Sequence, residues 1–587
     1  MKCPLKFKQM EKEFYKKYWH TTSHIMAQAV KRLFPEVKLG IGPSIENGFY
    51  YDFYREKPFT PKDIEEIEKE MKKIIKENYK IERIEMNKQQ AKEFLKDEPF
   101  KSELLEEIQE NIFSFYKQGE FIDLCRGPHL EYTGEVKFFK LLSIASSYWK
   151  GDENRESMQR IYGISFKTEE ELKNYLNFLK EAKERDHRVL GQKLSLFSIH
   201  PEYGSGLIFW HPKGAIIRKT IEDFWKEIHL KNGYQLLYTP HIADSTLWEK
   251  SGHYSFYKDY MFPVMYMDEN KKFQLKPMNC PFHILIYQST LHSYKEFPIR
   301  WAELGTVYRY EKDGVLHGVL RVRGFTQDDA HIFCRSDQIE TEVVDVLDLV
   351  MYFLSSFGFS EYEIFLSTRP DKFVGTVENW EKATKALENA LIKKNLQYQI
   401  DPGEGVFYGP KIDIKIKDCL KRTWQCSTIQ VDFNIPERFG IKYVNQDNKF
   451  ERPILIHRAI MGSLERFFGI LIEHYSGNFP VWLSPVQVKI LTIADRFIPY
   501  AEEVLICCKK NKIRAEIDAS QESLNKKIRF AENEKIPIIA VIGEKEQLSN
   551  TVAVRLHKKG MVGVFPVEEF IEKIKSIDNA RKIEIDI

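Results

Sequence analysis

Apolar residues recur at three- and four-residue spacing in several stretches, and each predicts a helix. Ile25, Met26, Ala29, Val30 and Leu33 form one stripe, which sets His20 and His24 one turn apart on a shared face. Ile64, Ile67, Met71, Ile74 and Ile75 line a helix over 61–79, with Pro61 at its start and acids in its first turns. Its many charges read as a solvated face. Leu172, Tyr175, Leu176 and Leu179 mark a long helix over 169–195, placed as a connector. Residues 38–53 read as strand, Gly/Pro turn and strand.

Beyond residue 200 the pattern predicts a helix through about 214–230 and a strand ending at Pro240. Cys280 then follows a strand and precedes an apolar helix. Further helices fall at 337–357 and 382–394, and strands at 363–370, within 401–418, and at 427–439. Residues 453–475 read as strand, Gly462 turn and helix. The sum is a mostly antiparallel sheet flanked by helices. From 485 the runs VQVKILTI, KIRAEID, PIIAVIG and TVAVRLH alternate with helices near 499–510, 523–534 and 566–575, a compact α/β module.

One stretch carries chemistry: RYEKDGVLHGVLRVRGFTQDDAH, Arg309 to His331. Two alternating runs about Asp313-Gly314 predict a hairpin, in which alternate residues share a face. Arg309 and Glu311 would share one, as would Arg321, Arg323, Phe325, Gln327 and Asp329. For a generic hairpin the ordinary reading is a solvated, charged surface. Arginines for phosphate, a ring for a base and a carboxylate for an amino group also make a nucleotide clamp.

At 587 residues the chain should hold about three or four domains. A net charge of +2 gives no case for nucleic acid by itself, although Lys-rich faces are spread along the chain. No apolar run approaches the ~18–20 residues of a membrane span, and MKCPLKFKQMEKEF lacks a signal-peptide core. Eight cysteines without a CxxC pair predict reduced thiols and a cytoplasmic location. Cys125 and His129 in FIDLCRGPH, with His20 and His24, form a four-ligand set of zinc type, with Asp123 beside it. His20 and His24 can also hold a water, or be mere helix surface.

The order of these features resembles class II aminoacyl-tRNA synthetases. The strand ending at Pro240, RYE (309–311) with Arg321 and Phe325, and GSLERF (462–467) with Arg466 are similar to the three motifs of that class. KPMNCPFH, DDAHIFC and ILIHRAIMGSLER resemble the threonyl-tRNA synthetases in particular, over nearly the whole chain. The implied architecture is an α+β and α/β multidomain chain: editing domain 1–168, linker helix 169–194, catalytic domain 195–484 with an antiparallel sheet, and α/β anticodon-binding domain 485–587. With HxxxH already at residue 20, the small ubiquitin-like domain found in the common bacterial form has no room.

The resemblance also implies roles. Arg309 bridges the α-phosphate of ATP and the amino-acid carboxylate. Glu311 receives the adenine amino group, Phe325 stacks the base, Arg321 holds the γ-phosphate, and Arg466 caps the other adenine face and the phosphates. Mg²⁺ accompanies ATP, and no GxxxxGK phosphate loop occurs. Cys280, His331 and His457 hold one Zn²⁺, which takes the amino group and hydroxyl of threonine; an apolar pocket separates threonine from valine by only ~100-fold. Gln327, Asp329, Tyr408 and Gln430 line the substrate, and His253 assists transfer to tRNA(Thr), the ordinary reading of SGHY being a surface loop. Serine lacks only a methyl, so His20, His24, Cys125, His129 and Asp123 would hydrolyse seryl-tRNA. Glu546 and Arg555 match anticodon-reading positions, and Gln521 stands where the family has asparagine. A homodimer through 212–240 is expected. Two other readings stand beside this one: a class II enzyme for another small or hydroxylated amino acid, and a non-catalytic, synthetase-derived RNA-binding regulator.

Overall fold

The computed structural model describes residues 9–268 and 271–587; positions 1–8 of the expected N-terminal domain lie outside the described residues. The chain forms two compact units, Met1–Glu181 and Ala182–Ile587.

In the first unit the helices Gln9–Leu33 and Pro61–Glu77 pack on a sheet that includes Gly48–Tyr54, Ser157–Phe166 and Phe138–Tyr148, all antiparallel neighbours in that order. Tyr18, Trp19, Met26 and Val30 meet Phe49, Tyr51 and Phe53, while Ile67, Met71 and Ile74 close the core. The second helix begins where expected, because Thr60 and Asp63 cap each other's backbone N–H groups and Pro61 occupies the first turn. A smaller sheet of Ile81–Asn87, Ile112–Gln118 and Phe121–Leu124 completes the unit.

The connector expected over 169–194 is two helices. Glu169–Glu184 sets Leu172, Tyr175 and Leu179 on the N-terminal core. A break follows, and Asp186 caps a separate helix, His187–Lys193, by accepting from Arg188 N at 2.8 Å. A side chain that captures a backbone N–H in this way competes with helix continuation. Leu190 and Leu194 belong to the core of the second unit.

That core lies under an eight-stranded sheet in the order Gln235–Leu236, Ile299–Tyr308, Gly324–Cys334, Ile454–Ser463, Thr423–Asp432, Lys411–Lys417, Tyr362–Ser367, Gln399–Asp401. The inner six are antiparallel and the two edge strands pair in parallel. Helices Pro212–Lys231, Ile339–Ser356, Val377–Lys393 and Leu464–Tyr475 bury Ile217, Phe224, Phe353, Leu387 and Phe467 against one face. The segment expected as a strand to 439 turns into a helix, Asn434–Phe439, because Asp432 Oδ1 accepts from the backbone of Asn434 and Ile435.

The C-terminal sheet runs Ala515–Asp518, Val488–Thr492, Ile538–Ile542, Thr551–Leu556, Gly560–Pro566, parallel at the first two junctions and antiparallel at the last two. The fifth strand escaped sequence reading, since HKKGMVGVFP looks like a polar turn and the strand is largely exposed.

Glu465 ties the helix Leu464–Tyr475 to the sheet by accepting from Thr326 N at 2.8 Å. Burial raises its carboxyl from 4.5 to about 7. The folded protein therefore keeps a proton that the unfolded chain loses near pH 4.5, so this stabilisation is complete below pH 4.5 and is lost as pH rises to about 7. Glu465→Gln cannot titrate and should gain roughly 3 kcal/mol over the parent across that window, flat above it. Urea denaturation at pH 5 and pH 8 measures this; a difference independent of pH refutes it.

Candidate functional site

The polar face of the eight-stranded sheet is built by register. His331 lies directly across from His457, and His457 across from Gln430, so the three side chains stand in a row on one face of adjacent strands. Asp329, two residues along, keeps that face, and a bulge between Gln327 and Asp329 re-aims the strand beyond it. The helix Cys280–Gln288 starts with Cys280 over this row. The candidate ligand atoms of Cys280, His331 and His457 all lie within 4.8 Å of one another.

Polar groups behind the row orient it. His457 Nε2 sits 3.0 Å from Asp432, and its Nδ1 faces His331 Nε2 at 3.0 Å. The other His331 nitrogen meets His283 at 2.9 Å, and His283 meets Glu303 at 3.1 Å. Burial keeps His331 neutral. A thiol and two imidazoles, one backed by a carboxylate, are a donor set that fits zinc. Asp329 accepts from Asn279 at 3.2 Å, and burial raises its carboxyl. Gly305 permits this: a Cβ there would come within 2.4 Å of the Asn279 amide. Tyr408 donates to Gln430 at 2.6 Å.

The hairpin expected around Asp313-Gly314 is larger than the sequence suggested. Its strands are Ile299–Tyr308 and Gly324–Cys334, and the last pair is Tyr308 with Gly324. Arg309, Glu311, Arg321 and Arg323 therefore come from the loop 309–323, with Asp313–Val315 as a 3₁₀ turn, and share no strand face with Phe325. Arg309 lies over Phe325 at 5.1 Å and Tyr257 at 5.5 Å, and reaches Gln327 at 3.4 Å. Arg321 pairs with Glu311 at 2.8 Å. Arg466 is held by Leu320 O at 3.2 Å. His253 is buried, against the surface-loop alternative; Ser251 Oγ lies 2.8 Å from one ring nitrogen and Met278 Sδ 3.1 Å from the other. Burial, then His457 and Arg309, lowers its pKa to about 4.

The first unit gathers its own set. Cys125 Sγ lies 3.2 Å from His20 Nε2 and 3.3 Å from His129 Nε2, and His24 joins them within 4.8 Å. Burial pushes the three imidazoles toward neutrality and the Cys125 thiol up to about 12. Asp123 is buried, bonded to Tyr51 Oη and to Lys101 Nζ, each at 2.6 Å, with His24 at 3.8 Å. A cleft of about 380 Å³ opens here, lined by His20, His24, Lys101, Asp123, Cys125, Leu104 and Phe113. Sequence reading missed Lys101 and Tyr51; a lysine amid Phe100, Leu104 and Leu105 was the available signal. In the C-terminal module Glu546 accepts from Gly543 N at 2.9 Å and caps its own helix. Arg555 lies on the strand Thr551–Leu556, and Gln521 is exposed in a loop.

Residues 260–475 match the tRNA synthetase class II core domain (G, H, P, S and T). Residues 487–577 match an anticodon binding domain, and 113–162 the threonyl and alanyl tRNA synthetase second additional domain. The antiparallel sheet with its arginine-bearing loop and helix, followed by the α/β module, defines a class II aminoacyl-tRNA synthetase. The threonine–tRNA ligase of Sulfurihydrogenibium sp. is 54% identical over 98% of this chain and 90% of its own length. That of Caldanaerobacter subterraneus subsp. tengcongensis is 53% identical over 96% and 87%. The crystal structure of the RNA binding domain of threonyl-tRNA synthetase from Cryptosporidium parvum superposes with a TM-score of 0.65 at 38% identity, covering 68% of this chain and 99% of that one. The chain belongs to the threonine–tRNA ligase family and is an aminoacyl-tRNA ligase. Among the described residues no helix is long and apolar enough to cross a membrane, and the cysteines are free thiols.

The Lys101–Asp123 pair is enclosed, so removing one partner strands a charge. Lys101→Met should destabilise the first unit by about 3–5 kcal/mol, and Lys101→Met with Asp123→Asn should recover part of it. Chemical denaturation followed by proteolysis of this unit reads both; a loss below about 1 kcal/mol for the single variant would show that the pair is dispensable.

Proposed function

We propose that the sheet-face site activates L-threonine with ATP to threonyl-adenylate and passes it to the 3′ end of tRNA(Thr), and that the cleft of the first unit hydrolyses seryl-tRNA(Thr). The observation that carries the first half is the Cys280, His331, His457 cluster, with Arg309 reaching from the loop 309–323 to Gln327 on the strand that bears His331.

Those three residues would hold a Zn²⁺ ion, which supplies a Lewis acid for the amino group and hydroxyl of threonine and so disfavours valine. The remaining work falls to side chains. Charge grows on phosphate oxygens as pyrophosphate leaves, and Arg309, Arg321 and Arg466 are preplaced donors for it, with Mg²⁺ arriving on the substrate ATP. Phe325 presents a ring face to adenine and Glu311 a carboxylate to its amino group. Asp329 is set to accept the hydroxyl proton of threonine, helped by a carboxyl already raised by burial. Gln327, Tyr408 and Gln430 shape the pocket. His253, neutral at pH 7, is fit to take the proton of the attacking ribose hydroxyl.

In the first unit His20, His24, His129 and Cys125 are neutral groups that can hold either a water or a metal, and Asp123 orients His24 and Lys101. Glu546 and Arg555 are assigned to the anticodon, and the helix Pro212–Lys231 with the strand after it to a homodimer contact.

ATP–pyrophosphate exchange should be strongest with threonine, lower with serine by about 10–200-fold, and lower still with valine. No exchange with threonine would sink the activation reading. Cys125→Ala and His20→Ala should each let seryl-tRNA(Thr) accumulate while threonine exchange stays unchanged; misacylation equal to that of the parent would remove the editing assignment.

A further inference from the structure

Asp186, His187 and Glu473 form a buried cluster that the catalytic reading leaves unused. A metal is the first candidate for such a group, and the hydrogen bonds dispose of it. His187 Nε2 accepts from Val319 N at 3.2 Å, so the ring proton sits on Nδ1, which donates to Glu473 Oε1 at 2.7 Å. Glu473 also accepts from His187 N at 3.1 Å and pairs with Arg422 at 2.6 Å. Both ring nitrogens are committed, so the imidazole has no lone pair left for an ion.

Val319 belongs to the loop 309–323, inside a tight turn. His317 N donates to Arg321 O at 3.1 Å, and Arg321 N to His317 O at 3.3 Å. The turn is gripped at two neighbouring points, by His187 at Val319 N and by Arg466 at Leu320 O. The ring itself has little freedom. Phe197 stacks on it with centroids 6.5 Å apart, and Gly318, at φ +51°, lies so close that a Cβ would fall 1.9 Å from Nε2.

We propose that His187 is a positioning residue for ATP: from the helix that opens the second unit, it holds the turn 317–321 through Val319 N–H and thereby sets Arg321. The inference rests on the reading of Arg321 and Arg466 as ATP contacts. It adds a residue that touches no substrate and acts through the backbone.

Two substitutions divide the ring's two bonds. In His187→Gln the carboxamide oxygen reaches the Nε2 position and keeps an acceptor for Val319. In His187→Asn the amide reaches only the Nδ1 position, keeping Glu473 and losing Val319. ATP–pyrophosphate exchange on the full chain should give His187→Asn a KM for ATP about three- to tenfold higher, with the KM for threonine within about twofold of the parent. His187→Gln should stay within about twofold for both substrates, although it has lost the bond to Glu473. Equal behaviour of the two variants, or a parallel rise in both KM values, overturns the proposal. Absence of exchange in the parent would instead remove the ATP reading itself. Should either variant fail to fold, Gly318→Ala carries the test, since its Cβ drives the loop off the ring: an ATP-selective rise in KM is expected, and an unchanged KM for ATP overturns the proposal.

Discussion

The catalytic unit depends on strand register. His331, His457 and Gln430 come from three strands far apart in sequence, and they meet only because Gly324–Cys334, Ile454–Ser463 and Thr423–Asp432 pair as they do. In a sheet the side-chain period is two, so a slip of one residue would send this row into the helix-covered face and the apolar residues into the site. The register is enforced from the other side. Ile332, Ile456 and Val431 are fully buried in the core, and any slip would expose them. The hydrophobic core thus fixes the polar site without touching it.

Burial governs how each polar group behaves once register has placed it. Asp329, His331 and Cys280 in one unit, and His24 and His129 in the other, are all driven toward their neutral forms by loss of solvent. Ions survive where a partner is within reach, as with Lys101 on Asp123 and Arg422 on Glu473. The first-unit cluster thus stands beside an enclosed ion pair, and the sheet-face row is backed by the Asp432 and Glu303 carboxylates.

Much of this was legible in the sequence because the carriers are periodic or capped. The helix Pro61–Glu77 was readable from its stripe and its proline, and the residues that meet in the Cys280, His331, His457 cluster from their presence within distinctive runs such as KPMNCPFH and DDAHIFC. Two kinds of feature escaped. Asp186 broke the connector and Asp432 ended a strand through side-chain bonds to backbone a few residues on, which leave apolar spacing unchanged. Tyr51, His283 and Glu303 act through residues distant in sequence and no local pattern marks them, and Lys101 was marked only by its apolar neighbours. The Arg309 to His331 stretch illustrates the limit: its composition led to the expectation of a nucleotide clamp, while the loop geometry that separates Arg321 from Phe325 required the strand ends.

Arg321 rests on Glu311. A carboxylate offers a guanidinium the same planar, charge-assisted fork that a phosphate does. The loop in effect carries its own dummy ligand. An anion that claims the arginine releases a carboxylate needing a donor, so an intruder such as free phosphate leaves one half of the pair unsatisfied. A molecule that brings an anionic tail and an N–H donor together settles both halves at once. On the proposed ATP reading, discrimination between nucleotides and simple anions would begin in the pair itself, ahead of any stacking on the ring of Phe325.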